Sequence, residues 1–287
     1  MNKVCIFGSG QAGAMALTWL PAGNQVLSFI DNKKEKQGLF LLHKPVESLG
    51  DALKREPDEI LIAVLNKEAA EEIKKQIASS GFTGEVSDVN ELRRRIDIRL
   101  SAIRLSAGEI EEKGIEGDIA ELGVYRGETA SELNRLFPER KLYLFDTFTG
   151  FDERDLKKEK ELTGRKSFYK SFSDTDTETV ERILPHPEKA VFIKGYFPDS
   201  LKEKKALIPD DLSFSLVSLD TDLYAPTYEG LKYFCPRLSS GGRIFIHDYT
   251  SLQFDGVKKA VDKYCAEKKL FVLPLMDMHG SAVLIRQ

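Results

Sequence analysis

Twice along this chain, short runs of β-branched and aromatic residues alternate with segments whose apolar residues recur at three- and four-residue spacing. That alternation constrains the fold more than any other feature, because parallel strands need crossovers long enough to hold a helix. The first series reads as strands at Lys3–Phe7, Gln25–Ile30 and Glu59–Val64, helices at Val46–Arg55 and Lys67–Ser80, and a last short strand around Val86. The second begins at Gly117. Its strands are expected at Asp118–Leu122, Leu142–Phe145, Val191–Lys194, Phe214–Leu219, Ile244–Ile246, Phe271–Pro274 and Ala282–Ile285, with helices at Glu128–Leu136, Thr177–Leu184, Tyr228–Phe234 and Gly256–Lys268. Only MDMHGS separates the last two strands, too little for a helical crossover, so they form an antiparallel hairpin. The expected fold class is α/β: a Rossmann-like, mostly parallel seven-strand sheet with an antiparallel last strand, preceded by a small Rossmann-like α/β domain. The mixed segment ELRRRIDIRLSAIRLSAGEIEEKGI joins them as a helix or helix pair, which predicts domains at 1–95 and 96–287.

A length of 287 residues suits two domains. Lys and Arg number 42 against 46 Asp and Glu, so the chain carries no basic footprint for nucleic acid or an anionic membrane. Cys5, Cys235 and Cys265 are widely spaced without a C-x-x-C pair, which argues against a disulfide framework or structural zinc and reads as buried thiols in a reducing compartment. No stretch approaches the roughly 18 apolar residues of a membrane helix, and MNKVCIFG runs directly into a strand. The expectation is a cytoplasmic protein with a small-molecule partner; a homo-oligomer is compatible with this composition.

GDIAELGVYRGETA places a strand before Gly123 and a helix after Gly127, and LYLFDTFTGF ends the next strand on Asp146. Glycines let backbone approach a ligand closely, and a carboxylate at that second strand end can accept both ribose hydroxyls of a nucleoside. Close packing of helix on strand is the alternative role for the glycines. SLVSLDTDLYAPT then puts Asp220 and Asp222 at the end of the fourth strand, and GGRIFIHDYTS puts His247 and Asp248 at the end of the fifth. Neighbouring parallel strands bring these ends together, and carboxylates so crowded call for a divalent ion or a shared proton. Helix N-caps and turn formers are the alternative for such acids.

In order and spacing, GDIAELGVYRGETA, LYLFDTFTGF, VFIKGYFPDSL, LVSLDTDLYAPTYEGLKYFCPRLSSGGRIFIHDY and FDGVKKAVDKY resemble the macrocin O-methyltransferase (TylF-like) family over roughly residues 100–287. That family methylates sugar hydroxyls in antibiotic biosynthesis with S-adenosylmethionine and magnesium. The resemblance implies that Glu121, Gly123, Val124, Tyr125, Arg126 and Asp146 serve the cofactor. It further implies that Asp220 and Asp248 bind Mg2+ or another divalent cation and that Asp222 is the general base. The family has an acid where this chain has His247, whose imidazole would ligate or hydrogen-bond from behind; as a ligand it shifts preference toward manganese, iron or zinc. A sugar or glycosylated small molecule, free, glycan-borne or nucleotide-linked, is the implied acceptor. The Arg99–Leu105 segment and the charged run Asp152–Lys166 are the candidates for a loop or lid over it.

In the first domain GSGQAG follows a strand and opens a helix, with Asp31 near the spacing of a ribose-binding acid. Gly8, Gly10, Gly13 and Asp31 are therefore candidate nucleotide-binding residues. VCIFGSGQAGA with VLSFIDNKKEKQG also resembles the nucleotide-sugar-binding domain of bacterial sugar acetyltransferases over about residues 1–80. Taken alone, this half suggests an NAD(P)-dependent oxidoreductase or epimerase of nucleotide sugars, or a non-catalytic nucleotide-sugar-binding protein.

Overall fold

The computed structural model describes residues 1–21, 23–93, 97–164 and 172–287. They divide into two compact units, one of Met1–Ile98 with Met276–His279 and the other of Arg99–Leu275 with Gly280–Gln287. The boundary expected near residue 95 falls on residues 94–96, outside the described residues.

Unit 1 holds strands β1 (Asn2–Phe7), β2 (Asn24–Ile30), β3 (Phe40–Leu41), β4 (Lys44–Glu47), β5 (Glu59–Ile62) and β6 (Glu85–Asp88), in the order β3-β4-β2-β1-β5-β6. All pairs are parallel except β3 with β4. Helices α1 (Gln11–Trp19), α2 (Leu49–Leu53), α3 (Lys67–Ser79) and α4 (Val89–Arg93) fill the intervals. Alternate residues of β1 serve two cores: Cys5 and Phe7 pack with Ile73 and Ile77 of α3, and Ile6 packs with Ala12 and Ala16 of α1. The helix expected at Val46–Arg55 is instead β4 followed by the short α2. Val46 pairs with Phe29 of β2, and the Ser48 hydroxyl caps α2 by accepting from Asp51 N, so the chain turns helical only after it.

Unit 2 takes up the chain within α5 (Ile98–Glu112), which precedes strands β7 (Asp118–Leu122), β8 (Leu142–Asp146), β9 (Ala190–Lys194), β10 (Phe214–Leu219), β11 (Leu238–Ile246), β12 (Leu273–Pro274) and β13 (Ala282–Ile285). Their order is β12-β13-β11-β10-β7-β8-β9, with β13 antiparallel to both neighbours and the other pairs parallel. This is the seven-strand sheet the sequence called for. Every side chain of β10 is buried, as a central strand covered on both faces requires. One face packs on α10 (Tyr224–Phe234) and α11 (Asp255–Lys268) through Leu231, Phe234, Val257 and Val261. The other packs on α5 and α6 (Glu128–Leu136) through Ile103, Ile110, Ala130 and Leu133.

The charged run from Asp152, expected as a loop or lid, forms α7 (Glu153–Thr163), and Lys166 lies outside the described residues. Asp155 and Glu159, one turn apart, are both buried. Tyr196 Oη donates to Asp155 Oδ1 at 2.9 Å, and burial pushes that carboxyl up to about 6. Glu159 Oε2 accepts from Tyr224 N at 2.7 Å, capping α10. A Cβ on Gly256, in the first turn of α11, would stand 2.2 Å from the same carboxylate oxygens. One carboxyl group thus sits at two helix N-termini, and α7 is docked by it. The shorter α8 (Thr177–Glu181) and α9 (Ser200–Glu203) precede β9 and β10 respectively. Among the described residues no helix is long and apolar enough to cross a membrane, and the three cysteines are buried and unbridged.

Candidate active site

The parallel strands β7, β8, β10 and β11 present their carboxyl ends together, where ligands bind in open α/β sheets. After β7 the chain turns at Gly123 (φ 87°), whose absent side chain is required, since a Cβ would stand 1.8 Å from the Asp220 carbonyl oxygen. Tyr125 follows at φ 49°, uncommon for a residue with a side chain, and Gly127 at φ 81° opens α6. Asp146, at the end of β8, holds this turn. Its Oδ2 accepts from Val124 N at 2.6 Å and Tyr125 N at 3.0 Å, and its Oδ1 from Phe148 N at 2.7 Å. The Val124 side chain is buried in the core. Those of Tyr125 and Arg126 are tied to Asp174, the phenol donating to Oδ1 at 2.9 Å and the guanidinium pairing with Oδ2. Thr175 Oγ1 donates to the Tyr125 carbonyl.

Glu121, two residues before the turn, is 2% exposed. Its Oε1 accepts from Ser218 Oγ at 3.3 Å, while among the described residues its Oε2 has no hydrogen-bond partner. Burial raises this carboxyl well above the usual range, against the attraction of Arg99.

Across the crevice, Asp220, Asp222, His247 and Asp248 each offer a ligand atom, all within 4.8 Å of one another. Asp222 and Asp248 have φ of 60° and 58°, in the left-handed region that residues with side chains seldom occupy. His247 Nδ1 faces Asp248 Oδ2 at 2.6 Å and Asp220 Oδ1 at 3.1 Å. Burial alone would lower the imidazole pKa, but the two carboxylates override it and push it up to about 10. Asp220 is held well below its ordinary value: burial opposes ionisation, and His247 and Arg99 outweigh it. Asp222, buried and beside Asp220 and Asp248, is raised well above the carboxylate range. The donor set fits a divalent cation. Three carboxylates give hard oxygen ligands and His247 Nδ1 a borderline nitrogen, converging closely enough for one ion to displace the imidazole proton.

The structure therefore gathers Asp220, Asp222, His247 and Asp248 into one crevice and places Glu121, Gly123 and Asp146 beside it on adjoining strand ends. From the sequence, Arg99 is only the start of a lid candidate, with no place among the site residues. Its Nη1 donates to Asp220 Oδ2 at 3.2 Å and its Nη2 to Thr129 Oγ1 at 3.0 Å, so the helix considered as a lid is a packed one with a charge at its start. The available signal was periodicity: Arg99 stands one turn before Ile103, Ala107 and Ile110, the buried stripe of α5. A cavity of about 460 Å3, lined by Glu116, Asp118, Arg140 and Asp211 among others, opens at the amino end of β7, away from these residues.

Comparison with known proteins gives two family matches: macrocin-O-methyltransferase (TylF) over residues 49–287, and C2185-like, N-terminal, over residues 1–85. A similar curated protein is the 8-demethyl-8-(2,3-dimethoxy-alpha-L-rhamnosyl)-tetracenomycin-C 4'-O-methyltransferase of Streptomyces olivaceus, 24% identical over 66% of this chain and 72% of that one. Demethyldecarbamoylnovobiocin O-methyltransferase of Streptomyces niveus is 26% identical over 59% of this chain and 66% of its own. Among solved structures, the O-methyltransferase NovP superposes with a TM-score of 0.52 at 24% identity, covering 66% of this chain and 79% of NovP. The calicheamicin methyltransferase CalS11 gives a TM-score of 0.50 at 19% identity over 77% of this chain and 94% of CalS11.

Proposed function

The chain belongs to the macrocin O-methyltransferase (TylF) family and is an S-adenosylmethionine-dependent O-methyltransferase; we propose that its acceptor is a sugar hydroxyl, held at a divalent-cation site of Asp220, His247 and Asp248 with Asp222 as general base. The observation that carries this reading is the convergence of those four side chains beside the strand end that bears the Gly123 turn. When bound, S-adenosylmethionine supplies an electrophilic methyl group, and Mg2+ or another divalent cation supplies Lewis-acid stabilisation of a developing alkoxide. The protein aligns the acceptor oxygen and takes its proton, the latter the task of Asp222, which a bound cation would keep ionised by offsetting the neighbouring Asp220 and Asp248. On the cofactor side, Gly123, Val124, Tyr125 and Arg126 form the turn. Asp146 retains lone-pair capacity for ribose beyond its backbone bonds, and Glu121 is the buried acid behind them. The named acceptor of one curated relative bears a rhamnosyl group, which supports a glycosylated or nucleotide-linked small-molecule acceptor.

For unit 1 the reading is a nucleotide-type site at Gly8, Gly10, Gly13 and Asp31, of the nucleotide-sugar kind that its likeness to sugar acetyltransferases suggests. Gly8 and Gly13 are explained by backbone packing, a Cβ on Gly13 falling 1.9 Å from the Gly8 carbonyl oxygen. Gly10 has nothing within 4 Å of its missing Cβ, which leaves room for a ligand.

The test is calorimetry with S-adenosylhomocysteine, NAD and nucleotide sugars, followed by methyl-transfer assays on deoxysugar acceptors with chelator and added cations. Expected are S-adenosylhomocysteine binding that survives chelation, and turnover that stops with chelator and returns with a divalent ion. His247→Asp should tighten Mg2+ relative to Mn2+ by roughly tenfold. Chelator-indifferent turnover in metal-free protein would overturn the cation assignment, and equal Mg2+ affinity in His247→Asp and His247→Ala would remove His247 from the ligand set.

A further inference from the structure

Arg99 touches both halves of the site. Its side chain is 12% exposed, and its planar guanidinium spends one nitrogen on Asp220 Oδ2 at 3.2 Å. The other reaches Thr129 Oγ1 at 3.0 Å and Ser218 Oγ at 3.5 Å. Thr129 is the second residue of α6, the helix that the Gly127 end of the cofactor turn opens. Ser218 hands the network on to Glu121, whose second carboxylate oxygen is buried without a partner among the described residues. Backbone closes the same circuit: Asp220 N donates to the Leu122 carbonyl at 2.9 Å, and the Asp220 carbonyl blocks any side chain at Gly123. A displacement of the cofactor turn is therefore felt at Asp220 through two routes, one of them a rigid fork with fixed donor directions.

We propose that Arg99 is a positioning residue that couples cofactor binding at the Gly123 turn to cation binding at Asp220. The inference rests on the cofactor and cation reading given above. Held by Arg99 through Oδ2, Asp220 keeps Oδ1 toward His247 and the crevice, the orientation a cation ligand needs. A cofactor that orders the start of α6 fixes Thr129, Thr129 fixes the guanidinium, and the guanidinium fixes Asp220. Linkage makes the effect reciprocal, so the cation must tighten the cofactor by the same factor by which the cofactor tightens the cation.

The probes are Mn2+ and S-adenosylhomocysteine, titrated singly and together into the full-length protein, with Mn2+ followed by electron paramagnetic resonance and S-adenosylhomocysteine by calorimetry. In the unmodified protein each should tighten the other by about fivefold or more. Thr129→Val removes the α6 arm alone and should lower the coupling factor at least about twofold, the backbone route remaining, with each single affinity within about twofold. Arg99→Lys, which keeps the charge and loses the fork, should do the same while leaving the thermal transition in place. A merely structural role would lower single affinities or stability and leave the ratio intact. Undiminished coupling in both variants, or Mn2+ and S-adenosylhomocysteine that bind the unmodified protein independently, would overturn the proposal. Absence of Mn2+ binding to the unmodified protein would instead fell the cation reading, and the coupling with it.

Discussion

Each unit contains a strand, a glycine turn, a helix and a second strand ending in an acid, yet the two acids are used differently. Asp31 of unit 1 accepts from the Ser9 hydroxyl, the Lys36 ammonium at 3.0 Å and Lys33 N at 2.9 Å. Asp146 of unit 2 accepts mainly from backbone, three N–H groups of the chain around the turn and its own strand end. The first acid is held by side chains and a countercharge as well as by the Ser9 and Lys33 amides, the second mainly by the loop it shapes. The larger difference lies on the other side of the first strand, where β5 pairs with β1 in unit 1 and β10 with β7 in unit 2. β5 of unit 1 runs out into Ala63, Val64 and Leu65, and Asn66 then caps α3. β10 and β11 of unit 2 end in Asp220, Asp222, His247 and Asp248. Both units carry the glycine turn; β6 of unit 1 ends in Asp88, which pairs with Lys74, whereas in unit 2 three acids and a histidine converge at the strand ends.

The harshest test of that contrast is Asp222→Asn. If proton transfer in unit 2 is the chemistry, turnover should fall about 10²–10⁴-fold, with S-adenosylhomocysteine affinity kept within about twofold. Asp31→Asn should leave methyl transfer to a non-nucleotide acceptor unchanged. An equal loss in both variants, each shown by circular dichroism to be folded, would erase the distinction between the units.

A pair of glycine substitutions ranks next. In Gly123→Ala the new Cβ meets the Asp220 carbonyl oxygen at 1.8 Å, and in Gly13→Ala it meets the Gly8 carbonyl oxygen at 1.9 Å. Backbone cannot swing aside as a side chain does, and Gly123 also has φ of 87°, so each change should cost about 3 kcal/mol or more, read by thermal or denaturant unfolding. Only Gly123→Ala should also abolish S-adenosylhomocysteine binding; loss of that binding in a folded Gly13→Ala protein would put the cofactor in the wrong unit.

Asp146→Ala should weaken S-adenosylhomocysteine by about 1–3 kcal/mol, the scale of hydrogen bonds to a charged acceptor. The structure adds a second readout to that expectation. Because the carboxylate also holds the Val124 and Tyr125 amides, hydrogen exchange at those two positions should quicken in the free protein. Faster exchange with unchanged affinity would make Asp146 a loop anchor that never meets the ribose.

How much of this was legible beforehand follows from what each residue type can reveal. The strands of the second sheet with its antiparallel end, and β1, β2, β5 and β6 of the first, were readable, since apolar runs and connection lengths leave few topologies; the short β3 and β4 were not. Asp220, Asp222, His247 and Asp248 were readable as a set, since parallel pairing of β10 with β11 brings their ends together. Illegible were the places where charge goes inward. Asp155 and Glu159 look like part of a solvated run until Tyr196 and the α10 N-terminus are known to meet them. Arg99 looks like a surface residue of a mixed helix because its partners lie about 30 to 120 positions away in sequence, and a single chain carries no local sign of them. Val46 was assigned to a helix because a four-residue strand and a five-residue helix in succession mimic one amphipathic period.

The smallest expected effect on stability is the one that says most about unit 1. Gly10 caps α1 with φ −97° and ψ −163°, a conformation open to any residue, and no atom lies within 4 Å of where its Cβ would be. Gly10→Ala should therefore cost no more than about 1 kcal/mol, the loss of a mildly favoured N-cap. Gly8 and Gly13 owe their identity to the protein's own backbone, and Gly10 does not, so beyond its mild N-cap preference a ligand approaching the start of α1 is a physical reason for a missing side chain there. A nucleotide sugar bound at this turn should lose about tenfold in affinity for Gly10→Ala, with S-adenosylhomocysteine binding by unit 2 untouched. Unchanged nucleotide-sugar affinity in that stable variant would take the ligand away from the Gly8–Gly13 turn, and the resemblance between the two glycine turns would then end at the backbone.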